Sequence, residues 1–324
     1  MNIQKIQAYQ AGHVRLEEAE LPQHGENEVL LETLYSTISP GTELAWLHHM
    51  ANTPGIYPYY PGYSLSARVI AKGSEVCDLE IGDIVAVPAG HSSHHIVAAD
   101  KCTKLPEGIC PKEASAFRLA SIALQGIRKA DQQLGDRVAV LGLGAIGNLA
   151  AQLSYVAGAG EVSGFDLVTW RRSLAEQCGI GPTHADTNQP EHESLYDVVI
   201  EATGAAAVVN SAMQMVRPLG VVVLLGSARG LTDGVNFYRD VHRKGISLIG
   251  AHEMHRSYCE ADRFGHFRSH KQDEEVIIKL LSQRRISLAP LVSEVVKPTD
   301  AQDIYDRLLK QNAPLMLASF QWGA

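Results

Sequence analysis

The sequence is short of cysteine: five in 324 residues, at positions 77, 102, 110, 178 and 259, with no C-x-x-C pair. An odd, scattered set excludes a disulfide framework and a cysteine-rich zinc site. Basic residues are outnumbered too, 28 Lys+Arg against 36 Asp+Glu, for a net charge of -8. That balance argues against nucleic-acid binding, which needs a basic footprint. No apolar run approaches the roughly 18 residues of a membrane span, and the longest stretches are strand-length. The opening Met1-Asn2-Ile3-Gln4-Lys5-Ile6-Gln7 has no apolar core of a secretion signal. The expectation is a soluble, cytoplasmic protein without nucleic-acid or membrane partners. At about 150 residues per domain, its length allows two domains.

What is present changes character along the chain. Residues 1–110 read as short strands punctuated by Gly, Pro and Asn, among them 29–35, 67–71, 84–87 and 95–98. That pattern predicts a compact β-rich or barrel-like unit. A helical stretch at 112–130 follows, and then strands and helices alternate: strands at 137–141, 161–165, 196–200, 220–225 and 245–249, helices at 145–157, 171–178 and 206–216. Alternation of this kind predicts a parallel sheet with helices on both faces. The tail reads as helix 273–283, strand 291–296, helix 300–311 and strand 315–320, and it is expected to return to the first domain.

Gly142-Leu143-Gly144-Ala145-Ile146-Gly147 lies between the strand at 137–141 and the helix that follows it. Gly142 permits the tight turn, Gly144 lets backbone approach a pyrophosphate, and Gly147 allows helix and strand to pack closely. The helix start at Ala145 and Ile146 offers N–H groups and positive dipole. Asp166 ends the next strand, 19 residues beyond Gly147, where such a fold accepts hydrogen bonds from a ribose. The loop is therefore read as a dinucleotide site. A carboxylate at 166 would repel a 2′-phosphate, which favours NAD(H). Arg171 and Arg172 lie close enough in sequence to hold that phosphate, so NADP(H) stays open.

The order of elements resembles the medium-chain dehydrogenase/reductase family over essentially the whole chain. Pro61-Gly62-Tyr63, Gly73-Ser74 and Gly82-Asp83-Ile84-Val85 resemble its GroES-like domain. Asp197 to Gly204 resembles the segment where the nicotinamide half of the cofactor lies, and Gly220 to Gly226 the strand after it; the resemblance implies cofactor contacts at Thr203, Gly204 and Gly226. The resemblance implies a GroES-like catalytic domain from 1–117 and 272–324, a Rossmann domain from 118–271, and catalysis in the cleft between them. It also implies a homodimer through the last sheet strand, near 245–250.

The departures from the family pattern carry as much as the matches. Ser39 stands where many members have a zinc-binding Cys, Tyr63-Ser64 replaces a His-Glu pair, and Ala120 matches the third ligand. The four-cysteine structural-zinc lobe is missing. Hydroxyls and a methyl do not make a Zn²⁺ site, so a zinc-free member is expected. Ile38 to Glu43 with Tyr60 to Tyr63 is similar to a zinc-lacking branch that includes chlorophyll-pathway alcohol dehydrogenases.

Without a metal, a protein group must stabilise a developing alkoxide and move a proton. Thr42 matches the family's relay hydroxyl, Tyr63 falls at a ligand position, and His48 is a further acid/base candidate. Glu43 matches a family acid that serves structure. Ser39, Trp46, Tyr60, Arg118 and His252 are candidate substrate contacts; Trp46 with Tyr57, Tyr59 and Tyr60 would form an aromatic wall or merely stiffen a surface loop. Arg118 reads equally as a contact to an anion or as half of a charge pair. His91, His94 and His95 cluster, but neighbours on a strand point to opposite faces, and no ligand spacing supports a replacement metal. The function expected is a zinc-independent NAD(H)-dependent alcohol/carbonyl oxidoreductase. An NADPH-dependent quinone or enoyl reductase and a non-catalytic redox sensor are the alternatives.

Overall fold

The computed structural model describes residues 1–254, 268–310 and 314–323. The chain divides into two compact units, Met1–Arg118 with Glu274–Ala324, and Leu119–Asp273.

The first unit opens with an antiparallel hairpin, β1 (Asn2–Gln10) and β2 (His13–Glu20). The residues of these strands give little strand signal, because Gln, Lys and Glu fill many positions and the buried ones are Ile3, Ile6, Gln7, Ala8 and Val14. Next come β3 (Glu28–Thr37), α1 (Pro40–Leu47), β4 (Leu65–Lys72), β5 (Ile84–Val87), β6 (His94–Ala98) and β7 (Thr103–Lys104). The helical stretch read at 112–130 is broken at Ser115–Ala116 into α2 (Pro111–Ala114) and α3 (Phe117–Ala130).

The second unit is a six-stranded, all-parallel sheet. Its elements are β8 (Arg137–Leu141), α4 (Ala145–Val156), β9 (Glu161–Phe165), α5 (Thr169–Gln177), β10 (Thr183–His184), β11 (Tyr196–Glu201), α6 (Val208–Met215), β12 (Val216–Leu224) and β13 (Ser247–Gly250). The strand order is β10-β9-β8-β11-β12-β13. Counted within the unit this is 3-2-1-4-5-6, the doubly wound order whose direction reverses between β8 and β11. Ligands of such sheets lie beyond the strands' carboxyl ends at that reversal.

The chain then adds α7 (His270–Ser282), β14 (Val292–Val296), α8 (Ala301–Lys310) and β15 (Leu317–Gln321). β15 pairs antiparallel with β3, Ser319 opposite Thr37, so the C-terminal strand sits in the sheet β14-β15-β3-β4-β5-β7, with β6 also on β3. α8 buries Ala301, Ile304, Tyr305 and Leu308, the i, i+3, i+4, i+7 stripe of an amphipathic helix. That stripe packs with Ile6, Val14, Leu44, Leu47 and Phe320, each large apolar side chain contributing roughly 1.5–3 kcal/mol. The fold is mixed α/β, a Rossmann sheet in one unit and a GroES-like β-rich arrangement in the other. No helix among the described residues is long and apolar enough to cross a membrane.

Candidate active site

The glycine loop sits at the carboxyl end of β8, on the reversal. Gly142 turns with φ +89°, and a Cβ there would fall 2.8 Å from Thr203 Cγ2 and 2.9 Å from its N. A Cβ on Gly147 would fall 1.7 Å from the Gly142 carbonyl oxygen, which no side chain can meet. Gly144 differs: it begins α4 as its N-cap, and nothing lies within 4 Å of where its Cβ would be. The open position is where a phosphate can approach the N–H groups of the helix start. Just past the ends of β11 and β12, a Cβ on Gly226 would come within 2.6 Å of Gly204 N, and one on Gly204 within 2.9 Å of Ser227 O. Gly142, Gly147, Thr203, Gly204 and Gly226 are thus one contiguous cradle.

Two carboxylates hold the cradle's edges. Asp166 accepts from Leu143 N–H and Val168 N–H, both at 2.8 Å, and Arg171 Nη1 stands 3.6 Å from Oδ2. Arg172 donates instead to the Asp166 carbonyl oxygen at 2.6 Å. Glu201, fully buried at the end of β11, accepts from Thr203 N–H at 2.7 Å and from the Thr203 hydroxyl. Burial pushes the Glu201 carboxyl up, and the Thr203 and Gly204 hydrogen bonds oppose that shift. His252 lies exposed in this unit, its Nδ1 accepting from Met254 N–H at 3.1 Å. His255 and Cys259 lie outside the described residues.

In the first unit, Ser39 is the N-cap residue of α1, yet its side chain makes no capping bond. A serine there ordinarily bonds an N–H of the first turn. Here Tyr63 O–H donates to Ser39 Oγ at 2.5 Å. Two positions 24 residues apart in sequence, both read against family zinc ligands, therefore carry hydroxyls bonded to one another. Neither is a thiolate, imidazole or carboxylate donor, and Ala120, buried on α3, offers only a methyl. Among the described residues, no group of three or more His, Cys, Asp or Glu is placed to hold a metal ion.

The remaining candidates separate. Thr42 is half-buried on the first turn of α1, its N–H on Ser39 O at 3.2 Å. His48 is not brought beside Thr42: six residues further along a helix is about 9 Å of rise and a different side. Its ring rests against Gly12, and its buried Nε2 has no hydrogen-bond partner. Trp46 and Tyr57 both meet the Tyr59 ring at 5.9 Å, but Tyr60 is held elsewhere. The Tyr60 hydroxyl bonds Glu17 and Gln7, and Lys5 Nζ lies 3.8 Å over its ring. Arg118 is half of a charge pair, Nη1 to Glu274 Oε1 at 2.7 Å, the second of the two roles read for it. His94 and His95 do take opposite faces of β6, opposite Glu32 and the buried Leu31 of β3.

Reasoning from sequence missed a buried chain of polar groups behind Ser39. Glu43 Oε1 accepts Ser39 N–H at 2.7 Å, while Oε2 takes Tyr305 O–H at 2.5 Å and meets His91 Nε2 at 3.0 Å. His91 Nδ1 lies 2.8 Å from Ser36 Oγ, which accepts from Trp322 Nε1–H at 2.8 Å. Burial and then the Glu43 carboxylate push the Tyr305 phenol well up. The Tyr59 phenol is pushed up by the same two causes, burial first. The signal was the Ser39-Pro40-Gly41-Thr42-Glu43 segment itself, an N-cap with an acid one turn on; its partners are distant in sequence.

Residues 145–264 match the family model described as zinc-binding dehydrogenase. A D-guloside 3-dehydrogenase of Shigella flexneri is 29% identical over 263 residues, spanning 78% of this chain and 74% of that one. Among solved structures, a zinc-binding dehydrogenase of Sinorhizobium meliloti 1021 bound to NADP superposes with a TM-score of 0.82 at 19% identity, over 99% of both chains. A short chain alcohol dehydrogenase of Escherichia coli CFT073 complexed with NADH gives 0.84 at 18% identity, again over 99% of both. With its reversed parallel sheet and glycine cradle, the chain carries at residues 145–264 a zinc-binding-dehydrogenase domain of the medium-chain dehydrogenase/reductase type.

Proposed function

We propose that the protein interconverts an alcohol and a carbonyl with a nicotinamide dinucleotide, without zinc, and that the Ser39–Tyr63 hydroxyl pair takes the metal's place. The observation that carries this reading is the 2.5 Å bond between those hydroxyls, made by an N-cap serine that leaves its helix uncapped. Ser39 is buried and Tyr63 half-buried, so the phenol is the group that substrate reaches. In reduction, Tyr63 O–H donates to the carbonyl oxygen as charge develops there, and Ser39 O–H turns to donate to the phenol oxygen. In oxidation the same bonds carry the alcohol proton away. The start of α1 adds positive dipole beside the pair. Preorganised donors of this type are worth about 10²- to 10³-fold in rate.

A bound dinucleotide supplies the hydride acceptor or donor. Amides at Gly144, Ala145 and Ile146 fit its pyrophosphate, and Asp166, fixed by Leu143 and Val168, fits the ribose hydroxyls and favours NAD(H). The relatives' names, a guloside dehydrogenase and an alcohol dehydrogenase, agree with a hydroxylated substrate.

The test is a turnover screen with NAD⁺ and NADH over secondary alcohols, sugar alcohols, aldehydes, quinones and enones, with zinc assayed on the same sample. Turnover of an alcohol/carbonyl pair is expected, lost about 10²-fold or more in Tyr63→Phe while NADH affinity is kept. One tightly bound zinc per chain, or reduction confined to quinones or enones, overturns the reading. NADH binding without any turnover would instead favour a sensor.

A further inference from the structure

Ser39 and Tyr63 come from separate segments, and their hydroxyls must be held at bonding distance by something behind them. Each segment has a support there, and the two supports are bonded to each other. Behind Ser39 is Glu43, whose Oε1 accepts the Ser39 N–H at 2.7 Å. Because Pro40 follows, the bend into α1 is rigid at that point, and the carboxylate fixes the cap residue by its backbone. The serine hydroxyl is thereby left to Tyr63.

Behind Tyr63 is His91. Gly62 turns with φ +93°, and a Cβ there would fall 2.7 Å from His91 Cδ2 and 2.8 Å from His91 N. His91 N–H also donates to Pro61 O at 3.0 Å. The Pro61–Gly62–Tyr63 turn is therefore pressed on both the ring and the backbone of His91. The same ring reaches Glu43 through Nε2 at 3.0 Å, with both side chains essentially buried. Phe320 closes the edge of the imidazole, ring centroids 5.0 Å apart.

The donors run in one direction. Trp322 N–H donates to Ser36 Oγ, Ser36 O–H to His91 Nδ1, and His91 Nε2–H to Glu43; Tyr305 O–H and Ser39 N–H complete the acceptors of that carboxylate. With the Nε2–H tautomer each of these groups is satisfied. Fully connected buried networks resist displacement, because any member left unpaired is costly.

We propose that the Glu43–His91 couple is the positioning device of the active site, clamping the cap of α1 to the Pro61–Gly62–Tyr63 turn so that the Ser39 and Tyr63 hydroxyls stay bonded. The proposal rests on the reading of that pair as the reacting hydroxyls. It assigns Glu43 and His91 no contact with substrate; they act through Ser39 and Tyr63.

The experiment uses the full chain with ring-labelled [4-¹³C]tyrosine. Tyr63 Cζ is assigned by its loss in Tyr63→Phe, and its unbonded position is taken from Ser39→Ala. In Glu43→Gln and His91→Asn the Tyr63 resonance should move toward the Ser39→Ala position. For the alcohol found in the screen, kcat should fall at least tenfold with the KM for NAD⁺ within twofold. Tyr305→Phe, which keeps the ring and removes one donor, should give a smaller change in the same direction. It is the variant to read if a couple variant does not fold. Glu43→Asp should restore part of what Glu43→Gln loses.

A Tyr63 resonance unmoved in Glu43→Gln, His91→Asn and Tyr305→Phe overturns the proposal, even if Tyr63→Phe and Ser39→Ala abolish turnover. If the resonance moves but Tyr63→Phe keeps full turnover, the clamp stands and the catalytic reading of the hydroxyls falls.

Discussion

In the Leu119–Asp273 unit the candidate site is built of backbone, whereas in the other unit it is built of side chains. Gly142, Gly147, Gly204 and Gly226 each stand where a Cβ would strike a neighbouring segment, and Asp166, Glu201 and Thr203 only trim the edges. The Ser39–Tyr63 pair and its support take side chains from positions 36, 39, 43, 63, 91, 305 and 322. A backbone cradle tolerates almost no added atom but asks little of side-chain chemistry. A side-chain network tolerates small changes of volume but fails when one donor or acceptor is removed.

The sharpest way to break this contrast lies within the glycines themselves. Gly147→Ala puts a methyl 1.7 Å from the Gly142 oxygen, so helix and strand must part. A loss of about 3 kcal/mol or more is expected, with NADH binding abolished, read by chemical denaturation and fluorescence titration. Gly144→Ala meets no protein atom and has an ordinary extended backbone, φ −62° and ψ −177°. Its stability should match wild type while NADH affinity drops about tenfold, near 1.4 kcal/mol. If both variants lose stability equally, the cradle is structural only.

A smaller effect tests the side chains at that cradle's edge. Asp166 holds Arg171 at 3.6 Å, so Asp166→Ser removes a carboxylate and releases a guanidinium at once. Affinity for NADPH relative to NADH should rise about tenfold, measured by paired titrations. An unchanged ratio would mean that neither residue reads the ribose.

The same division explains what was legible in the sequence. Gly142, Gly144 and Gly147 occupy six consecutive residues between a strand and a helix, and Asp166 ends the next strand, so local spacing reported the cradle. The alternation of strands and helices reported the parallel sheet for the same reason. The Glu43–His91–Tyr305 network joins residues 48 and 262 positions apart, and no periodicity encodes that. His91 stood in the sequence as one of three clustered histidines, and only the turn at Gly62 and the pairing of β15 with β3 show its use. Helix α1 was missed as a helix because it is eight residues long, starts Pro40-Gly41 and draws its stability from Leu44 and Leu47 packing on α8.

Two titratable groups, one in each unit, should respond to pH in opposite senses. His95 on β6 has a buried Nε2 without a hydrogen-bond partner, and burial lowers its pKa from 6.5 to about 4. Between those values the unfolded chain binds the extra proton and the folded chain does not. Its contribution to stability is therefore complete above about pH 6.5 and is lost as pH falls toward about 4. Glu201 is shifted the other way, raised above 4.5, so its contribution is present at low pH and is lost as pH rises through its folded value. For His95 the effect at pH 5 is on the order of 2 kcal/mol. Denaturation midpoints of wild type, His95→Phe and Glu201→Gln at pH 5 and pH 7.5 should show the differences. His95→Phe should gain on wild type at the acid pH and Glu201→Gln at the neutral one. Parallel shifts of the two variants would mean that burial does not act on this base and this acid in opposite senses.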